Sequence, residues 1–251
     1  MTELMSDAVP IAMLLDLDDT ILDDSGNVGS CWRDACLDHR PELGTLNPGT
    51  LYDAVERTRE WFWSDPERHR EGRLDLDVAR REVARLALAH CGIENPNVAE
   101  KIADSYRTRR DRGIQPFPGA METVRWLREG GCKMALLTNG SATGQRSKVT
   151  RFQLEDLFDA VLIEGELGYG KPDARIYRLA LEKLGVRADE TSMVGDSLEC
   201  DVGGPQQVGI QGIWIDGRGQ GLPLQYNIFP TRIIRRLSDL RDASRAWVET
   251  P

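Results

Sequence analysis

Two aspartates stand two positions apart in Asp16-Leu17-Asp18-Asp19-Thr20, directly after the apolar run Ile11 to Leu15. Three later stretches share their polar character: Thr138-Asn139-Gly140 after the run Met134 to Leu137, Lys171 ahead of Pro172-Asp173, and Gly195-Asp196 continuing to Asp201. Several carboxylates brought into one small volume repel one another, and a shared proton or a hard divalent cation relieves that repulsion. An oxygen-only ligand set suits magnesium. A lysine and a hydroxyl add little to a metal store, but they would donate to the charged oxygens of a phosphoryl group. Taken singly, each stretch has a plainer reading: an aspartate at a strand end can cap a helix, Thr138-Asn139-Gly140 can be a turn, and Lys171-Pro172 can open a helix. The helix dipole disfavours a cation ahead of a helix start, which favours a functional reading of Lys171.

These groups can act together only if the fold converges them. Ile11 to Leu15 is too short for a helix and reads as a buried parallel strand with acids at its carboxyl end. From about residue 28 to 113 the texture is helical and rich in Arg and Glu; Leu76, Ala79, Val83, Leu86, Ala87 and His90 share one face, and Gly92 closes that segment. Pro116-Phe117-Pro118-Gly119 then punctuates the chain, and a helix over Ala120 to Glu129 leads through Gly130-Gly131 into a strand over Met134 to Leu137. Further strands are predicted over Ala160 to Ile163, Ser192 to Val194 and Gly212 to Ile215. A helix from Asp173 places Ile176, Tyr177, Ala180 and Leu184 on one side and stops at Gly185. The predicted class is α/β: a Rossmann-like doubly wound parallel sheet core, residues 1–27 and 114–251, with a helical cap, residues 28–113, inserted after strand 1. Ligands of such sheets bind at the carboxyl ends of the strands, and the polar stretches fall at such ends or in adjoining loops.

With DLDDT at 16–20, LLTNG at 136–140, GKPD at 170–173 and GDSLECD at 195–201 in that order, the chain resembles the haloacid dehalogenase superfamily over residues 11 to about 216. The helical insert resembles the cap that this family places directly after its first strand, and Arg232 to Leu240 resembles the last strand and the start of the closing helix. The resemblance implies a phosphatase in which Asp16 attacks phosphorus and forms an aspartyl-phosphate, splitting one displacement into two. Asp18 would protonate the leaving alkoxide and then activate water. Thr138 and the backbone N–H of Asn139 would hold phosphate oxygens, and Lys171 would neutralise charge on the nucleophile and the transferring group. Mg2+ would be held by Asp16, the backbone carbonyl of Asp18 and Asp196, with Asp201 behind them orienting a water or Lys171. The Asp196 to Asp201 spacing is one residue longer than in some branches, so Glu199 competes for that last role. Dehalogenases of the family lack an acid at the place of Asp18, which favours phosphate chemistry. A phosphomutase would share that acid, and a non-catalytic receiver-like module would lack both it and the cap. TNG and VGDSLECD look closest to the N-acylneuraminate-9-phosphatase and pyrimidine 5′-nucleotidase branch, which points to a sugar-acid, sugar or nucleotide monophosphate.

The formal net charge is −9, so the molecule has no general attraction for nucleic acid or an anionic membrane. No apolar run approaches the roughly 20 residues that span a bilayer. The expected partner is a small phosphorylated metabolite, with no nucleic acid and no membrane, in the cytoplasm; the oligomeric state stays open. Cys31, Cys36, Cys91, Cys132 and Cys200 contain no CxxC pair and read as reduced thiols. In the insert, Trp61, Phe62 and Trp63 read as cap core and Arg57, Arg59, Arg68, Arg70 and Arg73 as a solvated face. Arg57 and Arg59 are the candidates there for a second anionic group on the substrate. Arg107 to Arg112 reads as compensation of a helix dipole, and Asp23-Asp24 as a solvated hinge.

Overall fold

The computed structural model describes residues 9–223 and 227–241. The outer ends of the predicted core, residues 1–8 and 242–251, lie outside these. The chain divides into two compact units, one running up to Asp23 and resuming at Pro116, the other Asp24–Gln115.

The first unit is built on six strands: β1 (Ala12–Leu15), β4 (Lys133–Thr138), β5 (Ala160–Ile163), β6 (Thr191–Gly195), β7 (Gln211–Ile215) and β8 (Arg232–Ile234). Two short strands, β2 (Leu22–Asp23) and β3 (Gln115–Pro116), form a separate ribbon. The large sheet has the order β5-β4-β1-β6-β7-β8, and each neighbouring pair is parallel. Every residue of β1 is buried, so its pattern is a continuous apolar run and not an alternation. Helices α6 (Ala120–Glu129), α7 (Ala142–Arg151), α8 (Glu164–Leu167), α9 (Ala174–Leu184) and α10 (Gly204–Gln206) join the strands. Ile176, Tyr177, Ala180 and Leu184 of α9 form one cluster with Ala12 and Leu14 of β1 and Ala135 and Leu137 of β4. Each large side chain so buried contributes roughly 1.5–3 kcal/mol. Asp173 caps α9 by accepting from the Arg175 N–H, and Gly185 stops it at φ 64°, a conformation that favours glycine.

The second unit consists of α1 (Val28–Asp38), α2 (Pro48–Ser64), α3 (Pro66–Leu74), α4 (Leu76–His90) and α5 (Pro96–Gly113). Side chains divide the helical run into pieces: Asn47, Asp65, Asp75 and Asn95 each accept from a first-turn N–H of α2, α3, α4 and α5 in turn. The core of α4 is Ala79, Val83, Ala84, Ala87 and Leu88. The predicted face was therefore rotated: Ala84 and Leu88 point inward, while His90 is exposed. Trp32 stacks on Tyr106 with centroids 3.9 Å apart, and Phe62 and Trp63 pack edge to face. Trp61 departs from the predicted core role; it is 51% exposed and lies under the Arg68 guanidinium. Arg57 is exposed, and Arg59 reaches Glu56 at 2.6 Å. Arg110 lies in the last turn of α5, as its reading as dipole compensation expects, and is in addition buried, donating to Asp24 at 2.8 Å and Asn27 at 2.7 Å. A buried guanidinium needs such partners, and their supply takes Asp24 out of the purely solvated hinge expected for it. Among the described residues, no helix is long and apolar enough to cross a membrane.

Candidate active site

Because β4, β1 and β6 are adjacent and parallel, their carboxyl ends place Thr138, Asp16 and Asp196 side by side. Asp16 still donates its N–H to Val194 O of β6. The chain then leaves the strand: Leu17 O accepts from both Ile21 and Leu22 N–H, and Asp19 takes φ 58°. That turn returns the Thr20 hydroxyl to Asp16 Oδ2 at 3.0 Å.

Lys171 comes from the loop between α8 and α9, and its Nζ lies 2.6 Å from Asp16 Oδ1 and 2.6 Å from Asp201 Oδ1. All three side chains are buried. The Asn139 side chain clamps the Lys171 backbone, donating to its O at 2.7 Å and accepting from its N–H at 2.8 Å. Gly170 leaves room for this clamp, since a Cβ there would come within 2.4 Å of Asn139 Oδ1. Asp201 sits in a π-helical turn, Leu198–Gly203, which accommodates the long spacing from Asp196. It accepts from the Ser197 N–H at 3.0 Å, and a Cβ on Gly195 would stand 2.2 Å from its carboxylate. Glu199, the competitor, is exposed and lines a cleft of about 430 Å³ with Pro172, Gln206 and Ile228.

Carboxylate oxygens of Asp16, Asp196 and Asp201 lie within 4.8 Å of one another. Burial opposes charge on Lys171, but Asp16 and Asp201 outweigh it and hold the ammonium well above its ordinary range. Asp196 is pushed up to about 7 by its dense surroundings, with Asp201 and Asp19 adding repulsion. Three carboxylates against one ammonium thus leave an excess of negative charge on hard oxygen donors, which fits a small divalent cation.

Asp18 faces elsewhere. Its Oδ2 accepts from Gln145 Nε2 at 2.7 Å and its Oδ1 from Lys148 Nζ at 2.8 Å. Thr138 Oγ1 also lies 2.7 Å from Gln145 Nε2. Gln145 and Lys148 were not singled out from sequence, nor was the buried Glu164, which accepts from the Gly140 N–H at 2.9 Å and so fixes the turn after Thr138. The one signal for the first two was their spacing, a single helical turn apart directly after Thr138-Asn139-Gly140.

The family of haloacid dehalogenase-like hydrolases matches residues 12–209. The chain belongs to this family. A glyceraldehyde 3-phosphate phosphatase of Pyrococcus furiosus is 27% identical over 233 residues, covering 91% of this hydrolase and 90% of that protein. A phosphoserine phosphatase of Thermus thermophilus is 39% identical over 137 residues, 55% of this hydrolase and 54% of the relative, so the chain spans about half the length of that protein. Among solved structures, YfnB of Bacillus subtilis bound to magnesium shares the fold with a TM-score of 0.71 at 22% identity, over 94% of this chain and 98% of that one.

Proposed function

We infer that this hydrolase removes phosphate from small phosphomonoesters, with Asp16 as the nucleophile. The reading rests above all on Lys171 Nζ, placed 2.6 Å from both Asp16 and Asp201 beside Asp196. A buried ammonium against a buried carboxylate can carry the charge of a phosphoryl group as it transfers to Asp16. Asp16 attacks phosphorus and displaces the alkoxide, forming an aspartyl-phosphate. Asp18 gives its proton to the departing oxygen, then takes one from the water that hydrolyses the intermediate. Thr138 and the Asn139 N–H hold non-bridging oxygens. Asp16, Asp196 and the Asp18 carbonyl would hold Mg2+, which when bound supplies neutralisation of the clustered carboxylates and the phosphoryl oxygens. Asp201 keeps Lys171 in register from behind.

Both named relatives act, by their names, on small phosphorylated metabolites, which supports a substrate of that class. The resemblance carried by TNG at 138–140 and VGDSLECD at 194–201 supports a sugar-acid, sugar or nucleotide monophosphate within that class. The purified protein is expected to hydrolyse 4-nitrophenyl phosphate with magnesium, to lose that activity in EDTA, and to regain little with calcium, whose longer and looser coordination misplaces Asp16. Full turnover in excess EDTA would sink the metal assignment, and no turnover of any phosphomonoester in a broad panel would sink the phosphatase.

A further inference from the structure

Asp18 is held from one helix face by two side chains that have no part in the chemistry described above. Gln145 lies in the first half of α7, is 5% exposed, and brings its Nε2 to 2.7 Å from each of three oxygens: Asp18 Oδ2, Thr138 Oγ1 and Asn139 O. Lys148, one turn on, takes the other Asp18 oxygen at 2.8 Å. The helix that presents both is capped by Ser141, whose side chain accepts from the Gly144 N–H at 3.2 Å.

A carboxamide nitrogen has two hydrogens, and here it faces three acceptors. Two hydrogens therefore cannot give each of the three its own. The Thr138 hydroxyl sets how they divide, because it has one hydrogen of its own. With no phosphate present, that hydrogen can turn toward Asn139 O at 3.5 Å, a long contact. Given to a phosphate oxygen, it leaves the Thr138 lone pairs facing Gln145, which commits one amide hydrogen to Thr138. Asp18 and Asn139 O must then share the other.

We propose that Gln145 is a positioning residue that ties the acid Asp18 to the phosphate-holding Thr138, so that Asp18 stays aimed at the leaving oxygen of a phosphoryl group held at Thr138. No covalent bond to Gln145 is made or broken. The proposal rests on the phosphatase reading, since it assigns Gln145 through the work of Asp18. A purely structural Gln145 would satisfy the same three oxygens, and its loss would lower stability and all rates alike.

The test compares phenyl phosphate with 4-nitrophenyl phosphate, which are alike in size but differ in how much the leaving oxygen needs a proton. In Gln145→Met, which keeps the length and removes both hydrogens, kcat on phenyl phosphate should fall about tenfold further than on 4-nitrophenyl phosphate, with KM for both moving less than about threefold. Placed in an Asp18→Asn background, the same change should cost less than about twofold, because its route of action is already gone. If Gln145→Met does not fold by circular dichroism, Gln145→Glu keeps the shape, sets an acceptor against Asp18, and carries the same expectation. Equal losses on the two substrates, or an undiminished loss in the Asp18→Asn background, would overturn the assignment and leave the phosphatase standing. A wild-type protein inactive on both substrates and across the wider panel removes both.

Discussion

Asp16 is buried against Lys171 and Thr20, whereas Asp18, two residues on, is about a quarter exposed and reaches across to α7. A nucleophile profits from the first setting, where its lone pairs are oriented and its charge is balanced. An acid that must turn toward different substrates profits from the second. The two substitutions are therefore expected to fail differently. Asp16→Asn should show no covalent phosphoenzyme by mass spectrometry after acid quench, because an amide is a poor nucleophile. Asp18→Asn should still be phosphorylated by 4-nitrophenyl phosphate, whose leaving group needs no proton, while alkyl phosphates fail. Equal losses on aryl and alkyl esters in Asp18→Asn would remove the acid role from that residue.

At the scale of elements, short devices set the geometry. The π-helical turn Leu198–Gly203 brings Asp201 to Lys171 despite the long spacing, and glycine at 195 leaves the gap that its carboxylate fills. In the helical unit, the last turn of α5 is held by Arg110 to Asp24 and Asn27 rather than by solvent. Arg110→Met would leave Asp24 and Asn27 without that donor and is expected to lower stability by about 1–3 kcal/mol in urea denaturation. An unchanged midpoint would make the pair incidental. Trp61 illustrates the opposite case: an aromatic residue in a helical run was expected inside, but its neighbour Phe62 occupies the buried face and Trp61 rests against Arg68 at the surface.

For the whole molecule, a cation held by the excess of carboxylates at the ends of β1 and β6 would link its binding to folding. A cation that binds only the folded chain raises its stability by mass action. Magnesium should therefore raise the melting temperature, while Asp196→Asn should abolish that rise; a rise of equal size in Asp196→Asn would place the cation elsewhere. The sequence by itself determined the α/β class, the strands that form the sheet, the helical texture between the first two of them and the polar stretches at strand ends and in the loops beyond them, because strand runs, caps and stop glycines are written in neighbouring residues. It also allowed Asp201 over Glu199. The tertiary structure alone decided that Asn139 clamps Lys171, that Arg110 is buried, and that Gln145 and Lys148 hold Asp18 from 127 and 130 residues away. No local pattern marks such partners, because a glutamine on a helix looks the same in sequence whether it faces water or a carboxylate brought to it by the crossing of the chain.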